Sequence, residues 1–297
     1  MKKSKVTVFA VIIFVLLILY TLVLFVPTLW GLMTSLKTAN DATLYPFSVR
    51  WPLQFRNFAR VFEELSVEVD VYNSEGLLIG MRPYYIEHML WFTLVYAVCC
   101  SFVNIAVTCI VAYITARYNY KICAVIDAVV IVAMILPIVG AMPSELRIMR
   151  ALGLYDSLWG MMIMKANFVG GTTFLIFNVA FKGMPKDYSE AAQIDGASDL
   201  TVMLNIMLPM ARTIFFTMWL LSFIQFWNDY QTPLLYFPSK PTLSYGLFRF
   251  ISDSTGAAVD LPLSLAACYL LMVPILIVFL FTSEKLIGNV SMGGLKE

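Results

Sequence analysis

Six apolar runs, at residues 7–35, 88–116, 122–142, 157–181, 211–237 and 262–283, are each long enough to cross a ~30 Å hydrocarbon core at ~1.5 Å per residue. Lipid supplies no hydrogen-bond partners, so a run of this kind must satisfy its backbone internally as a helix. The expected fold class is all-α, a polytopic membrane protein of six transmembrane helices. Composition agrees: 60% of residues are apolar and 13% charged, against roughly 25% charged in soluble domains. The first run follows Lys2, Lys3 and Lys5 and outlasts the ~7–15-residue core of a signal peptide, so it reads as an anchor that stays in place. Six spans put both termini on one side. Short basic clusters weigh most in orientation, and the N-terminal triplet places both ends in the cytoplasm, together with Arg117, Lys121, Lys182, Lys186, Lys285 and Lys296. The expected organisation is one transmembrane domain over 1–297, with an outside loop at 36–87, an inside loop at 182–209 and an inside tail at 284–297.

Several chemistries are excluded by what is missing. A net charge of +1 with dispersed short clusters argues against nucleic acid as a partner. Cys99, Cys100, Cys109, Cys123 and Cys268 lie in apolar runs without Cys-x-x-Cys spacing, and His88 stands alone, so neither disulfides nor a metal site is expected. No Gly-x-x-x-x-Gly-Lys-Ser/Thr loop occurs, and no nucleophile and base set. The chain is therefore read as a non-enzyme that takes its energy from another polypeptide. The two halves show no internal repeat, which disfavours a self-contained secondary transporter.

Between the fourth and fifth runs lies a polar island, Glu190-Ala191-Ala192-Gln193-Ile194-Asp195-Gly196-Ala197, followed by Leu208-Pro209. Ser189 to Gln193 suits a helix start and Gly196 permits a turn with φ > 0. Asp199 can cap a second short helix that stops before Pro209. Two short helices at an angle make a rigid knob at the membrane surface. An ordinary amphipathic interface helix would not need both Gly196 and Pro209.

With Met184-Pro185-Lys186 upstream, this pattern resembles the EAA loop of the membrane subunits of bacterial ABC importers. The resemblance implies a type I ABC importer permease fold in a bacterial cytoplasmic membrane. It also implies that Glu190, Ala191, Ala192, Asp195, Gly196, Ala197 and Pro209 form the surface that couples to an ATPase. The implied partners are a second, homologous permease, two ATP-binding subunits carrying ATP and Mg, and an extracytoplasmic solute-binding protein. No cofactor is implied for this chain itself. Trp227-Asn228, Thr242-Leu243-Ser244-Tyr245-Gly246-Leu247 and Val290-Ser291-Met292-Gly293-Gly294-Leu295-Lys296 further resemble the carbohydrate branch and the smaller membrane subunit of the maltose transporter. The sequence departs from that pattern at Trp91-Phe92-Thr93, Met203 and Asn289. In that branch Gly293, Gly294 and Lys296 would belong to a tail reaching between the ATPases.

Polar groups inside spans cost ~2.5–3.5 kcal/mol when charged, so they should face protein or water. Gln225, Trp227, Asn228, Asp229 and Lys165 are the candidates for a solute path, since amides beside aromatic rings suit the hydroxyls and CH faces of a sugar. An interfacial aromatic belt is the competing reading for Tyr230 and Tyr236. Val67, Val69 and Val71 alternate with polar residues before a turn at 73–76, which predicts a β-hairpin in the outside loop, within extra length at 63–87 relative to the family pattern. The alternatives to a sugar permease are the same subunit for a non-sugar solute, such as a phosphodiester or polyamine, and a membrane scaffold or receptor component that moves no solute.

Overall fold

The computed structural model describes residues 8–72, 77–136, 140–169, 171–253 and 260–290, with backbone alone at Tyr72, Asp253 and 283–290. Chain contacts group it into two units, residues 1–67 with 247–274, and residues 68–246 with 275–297.

In the first unit, α1 (Val8–Ser35) runs 28 residues and is exposed along most of its length, burying only Gly31, Thr34 and Ser35 near its end. A chain apolar on every side has nothing to gain from water, so this helix belongs in lipid or against another apolar surface. Past it, α2 (Ala39–Leu44) starts at Thr38, whose hydroxyl accepts from the Asp41 amide. The short α3 (Arg56–Glu64) buries Asn57 and Val61. Asn57 Nδ2 donates to the carbonyls of Ser35 (2.9 Å) and Lys37 (2.8 Å), which answers acceptors orphaned at the end of α1. Arg60 pairs with Glu64 (2.8 Å) and Asp260 (3.0 Å). The Glu64 carboxylate bonded to it holds the guanidinium above its ordinary range. At the start of the second unit, strands β1 (Ser66–Tyr72), whose first two residues still belong to the first unit, and β2 (Leu78–Tyr85) make the expected hairpin; its turn, 73–76, lies outside the described residues.

The second unit is organised on α4 (Ile86–Arg117), a 32-residue helix. Next come α5 (Lys121–Ile135), α6 (Ala141–Ala151), α7 (Leu158–Lys165), α8 (Thr172–Gly183), α9 (Asp187–Ile194) and α10 (Asp199–Val202). A wide π turn at Met203–Met207 leads to α11 (Leu208–Met210), α12 (Arg212–Asn228), α13 (Gln231–Tyr236), α14 (Leu243–Asp253) and α15 (Leu261–Val290). The last two run across both units. α4 packs against α5, α7, α8 and α12, and Ile105, Tyr113, Phe174, Phe177 and Phe181 form the centre of the shared core. All five cysteines are free thiols.

The apolar runs are less regular than their hydropathy. Among the described residues, three helices are long and apolar enough to cross a membrane, or four if Asp199–Met210 and Arg212–Asn228, bent by 72°, count as one broken span. In the run at 122–142, α5 ends at Ile135 and α6 begins at Ala141, and residues 137–139, Pro137 among them, lie outside the described residues. The run at 157–181 is two helices, α7 and α8, with Gly171 at φ 51° in the gap. Leaving the helix inside an apolar layer frees carbonyls that must be answered. α4 answers them: Asn104 Nδ2 donates to the carbonyls of Lys165 (2.9 Å) and Asn167 (3.2 Å), and Thr108 Oγ1 lies 3.4 Å from the latter. The run at 211–237 likewise divides into α12 and α13, whereas Pro27 and Pro274 are each carried inside a continuous helix, α1 and α15.

Candidate coupling loop and interior polar network

Each element of the polar island has a local cause. Asp187 and Glu190 occupy the first turn of α9, where negative charge meets the positive end of the helix dipole. The helix ends in a Schellman motif: the Ala197 amide donates to the Ala192 carbonyl (2.9 Å) and the Gly196 amide to that of Gln193 (3.0 Å). Gly196 holds φ 86°. A Cβ built there would touch nothing within 4 Å, so glycine is required by backbone conformation and not by space. Ala192 and Ala197 press against the shared core, while Glu190, Ala191 and Asp195 are exposed. Small residues are needed where the knob meets the membrane domain.

The second arm departs from expectation. Its N-cap is Ser198, whose hydroxyl accepts from the Thr201 amide (3.2 Å), and Asp199 instead accepts from Gln193 Nε2 (3.0 Å), tying the arms together. Nor does the helix stop before Pro209. It widens into the π turn, where the Leu208 amide reaches back to the Met203 carbonyl, and Pro209 sits in the first positions of α11. Proline cannot donate to the carbonyl four residues back and collides with it; widening the preceding turn removes the conflict, and the bend falls at Ala211.

Val202, Met207 and Ala211 are buried in the same core as Tyr113, Phe177 and Phe181, and Arg117 at the end of α4 donates to the Met184 carbonyl (3.1 Å). The loop is thereby fused to α4 and α8, so a push on it must move them. Outward it shows Tyr188, Ile194, Leu200 and Leu204, with Ile194 86% exposed. Sequence reading missed these four and Arg117. The signal was available for Ile194, an aliphatic residue inside a polar island.

The proposed solute-path residues divide in two. Gln225 and Asn228 are exposed on α12, and Asn228 Nδ2 donates to the Ile224 carbonyl (2.8 Å) of its own helix. Trp227 is 2% exposed, packed on Phe223 with ring centroids 5.7 Å apart. Consecutive helix positions lie ~100° apart, so Trp227 points into the chain where its neighbour points out, and it does not line a surface as expected. Asp229 and Lys165 are enclosed in a network. Asp229 Oδ2 accepts from Tyr96 Oη (3.0 Å) and Oδ1 from the Thr232 amide (3.0 Å). Lys165 Nζ donates to Thr232 Oγ1 (3.2 Å), lies 4.0 Å from Asp229 Oδ2, and sits 5.3 Å over the Phe226 ring. The network ties α4 and the end of α7 to the junction of α12 and α13. The tail residues Gly293, Gly294 and Lys296 lie outside the described residues.

Residues 109–287 match the family described as binding-protein-dependent transport system inner membrane component. That is more than half of the chain. The chain belongs to this family. It is a permease component of a transport system and not an enzyme. Its relatives include the diacetylchitobiose uptake system permease protein NgcG of Streptomyces coelicolor, 26% identical over 96% of this chain and 88% of the relative. The melibiose/raffinose/stachyose import permease protein MelC of Bacillus subtilis is 26% identical over 92% and 91%. Among solved structures, a chain of a bacterial ABC transporter involved in the import of the acidic polysaccharide alginate superposes with a TM-score of 0.75 over 96% of this permease and 98% of that chain, at 19% identity. That likeness concerns the fold.

Proposed function

We propose that this permease carries a sugar or oligosaccharide through the cytoplasmic membrane. It would pair with a second, homologous permease, over two ATPases that bind ATP and Mg, and receive solute from an extracytoplasmic binding protein. The observation that carries the energetic half is the loop built on Gly196, fused to α4 and α8 through Val202 and Met207, with an outward face of apolar residues beside acids. Closure of the ATPases would move this knob, and the spans would rock with it. The sugar class is supported by the names of its relatives NgcG and MelC and by the amides exposed on α12. In this reading the six runs are six spans, both termini are cytoplasmic, 36–87 is outside and 182–209 inside. The outward small-residue face of α5, with Ala124 and Ala128 one turn apart, suits close helix packing against the second permease.

The test is uptake by the complex in proteoliposomes with ATP, after its binding protein has been screened against di- and oligosaccharides. Saturable, ATP-dependent uptake of a sugar supports the reading. Uptake of a phosphodiester or polyamine in its place overturns the sugar class, and no uptake of any solute by the assembled complex overturns transport.

Two further outcomes follow. Asn228→Leu should raise the apparent KM for the sugar several-fold while leaving the amount of assembled complex unchanged, because an exposed amide is removed and no buried partner is orphaned. An unchanged KM removes Asn228 from the path. Deleting residues 288–297 should lower ATPase activity at constant assembly; parental turnover would reduce the tail to a frayed terminus.

A further inference from the structure

The segment after α1 doubles back on it. Lys37, 2% exposed, donates through Nζ to the carbonyls of Tyr45 (2.9 Å) and Pro46 (2.9 Å), and burial pulls its pKa below the ordinary lysine range. Trp30, five residues before the end of α1, donates from Nε1 to the same Pro46 carbonyl (2.8 Å), with its ring 6.4 Å from that of Phe47. The chain then climbs to Gln54, whose amide donates to the Leu36 carbonyl (2.8 Å). Residues 46–53 are thus a strap hung between two fixed points, the lower one at the depth of Trp30.

That depth follows from the helix. The 28 residues of α1 measure ~42 Å, the thickness of a bilayer with its headgroups, and five residues are ~7.5 Å, about the thickness of one headgroup layer. Trp30 therefore stands where hydrocarbon gives way to headgroups, the preferred level of tryptophan, and the strap starts there. On it Phe47 is 84% and Trp51 80% exposed, with Val49 exposed between them. Beside them the Arg50 guanidinium lies 3.7 Å from the centre of the Tyr45 ring. Alternating apolar side chains with one aromatic-backed cation fit a layer that is half apolar and carries phosphates.

We infer that residues 46–53 are a lipid-binding strap: Phe47, Val49 and Trp51 enter the membrane interface, and Arg50 meets a phospholipid phosphate. The occupant is the lipid headgroup layer. The inference rests on α1 spanning the membrane and is independent of the solute carried.

The assembled complex is placed in nanodiscs of phosphatidylcholine brominated either near the headgroup end or near the methyl end of the acyl chain. The fluorescence lost on Trp51→Phe isolates the Trp51 signal, and its quenching is compared with that by aqueous iodide. Headgroup-end bromine should quench Trp51 at least about twofold more than methyl-end bromine, and iodide weakly. Quenching by iodide alone would mean that the strap stands in water, and quenching by none of the three that protein covers it; either overturns the proposal. If Trp51→Phe lowers complex yield, Val49→Trp in the parent supplies an added reporter read in the same way.

Discussion

Gly196→Val is expected to lower ATP-driven uptake by about tenfold or more while the permease still inserts and assembles. The Schellman motif requires φ 86° at this residue. A residue with a Cβ pays ~1–2 kcal/mol in the left-handed region, and β-branching raises that cost. Since ~1.4 kcal/mol is a factor of ten in a population, the turn should open in most molecules. Opening it frees the Ala197 and Gly196 amides and separates α9 from α10, so the exposed Tyr188 and Ile194 of α9 lose their fixed angle to the buried Val202 and Met207. Force on α9 would then be absorbed by the hinge. The side chain meets no neighbour, so Gly196→Asn, which tolerates this conformation, should retain most uptake. The measurement is uptake and solute-stimulated ATPase activity at matched complex. Equal uptake by the Val and Asn variants would show that the turn's conformation does not transmit force.

How much of this could be read from residues depends on whether one residue type has one physical use. Gly196 could be read, because an isolated glycine between two helical patterns has few purposes. Pro209 was seen and misplaced: proline signals a helix end, but a π turn lets the chain pass it, and no residue type marks a π turn. Gly171 marked an irregularity without saying that the run at 157–181 separates into two helices. That depends on Asn104 and Thr108 standing across on α4 to receive the freed carbonyls, a relation some sixty residues distant. The orientation of Trp227 and Asn228 was illegible for a related reason. α12 is apolar on all sides, so periodicity does not say which side faces protein, and polarity cannot separate neighbours ~100° apart. Asp229 and Lys165 were found by their cost inside a span, and only the fold shows that they satisfy each other.

Asp229→Leu is expected to cost about 1–3 kcal/mol, the usual penalty for leaving a buried donor unsatisfied, since Tyr96 is fully buried while the Lys165–Asp229 pair itself is only partly so, against a total stability of ~5–15 kcal/mol for a domain. It leaves the Lys165 ammonium with Thr232 Oγ1 and the Phe226 ring, and it removes the acceptors of Tyr96 Oη and the Thr232 amide. The yield of assembled complex should fall sharply, with a lower midpoint of thermal unfolding in detergent. Lys165→Met in the same chain should recover much of the loss, because it removes the unpaired charge while keeping a long apolar side chain over Phe226. Asp229→Asn keeps an acceptor for Tyr96 and should fall between parent and Asp229→Leu. A contact with the sugar predicts another pattern, in which Asp229→Asn raises the KM at unchanged stability and Lys165→Met worsens Asp229→Leu. Recovery by the second substitution is the deciding result, since only a pair that exists to satisfy itself improves when both charges are removed.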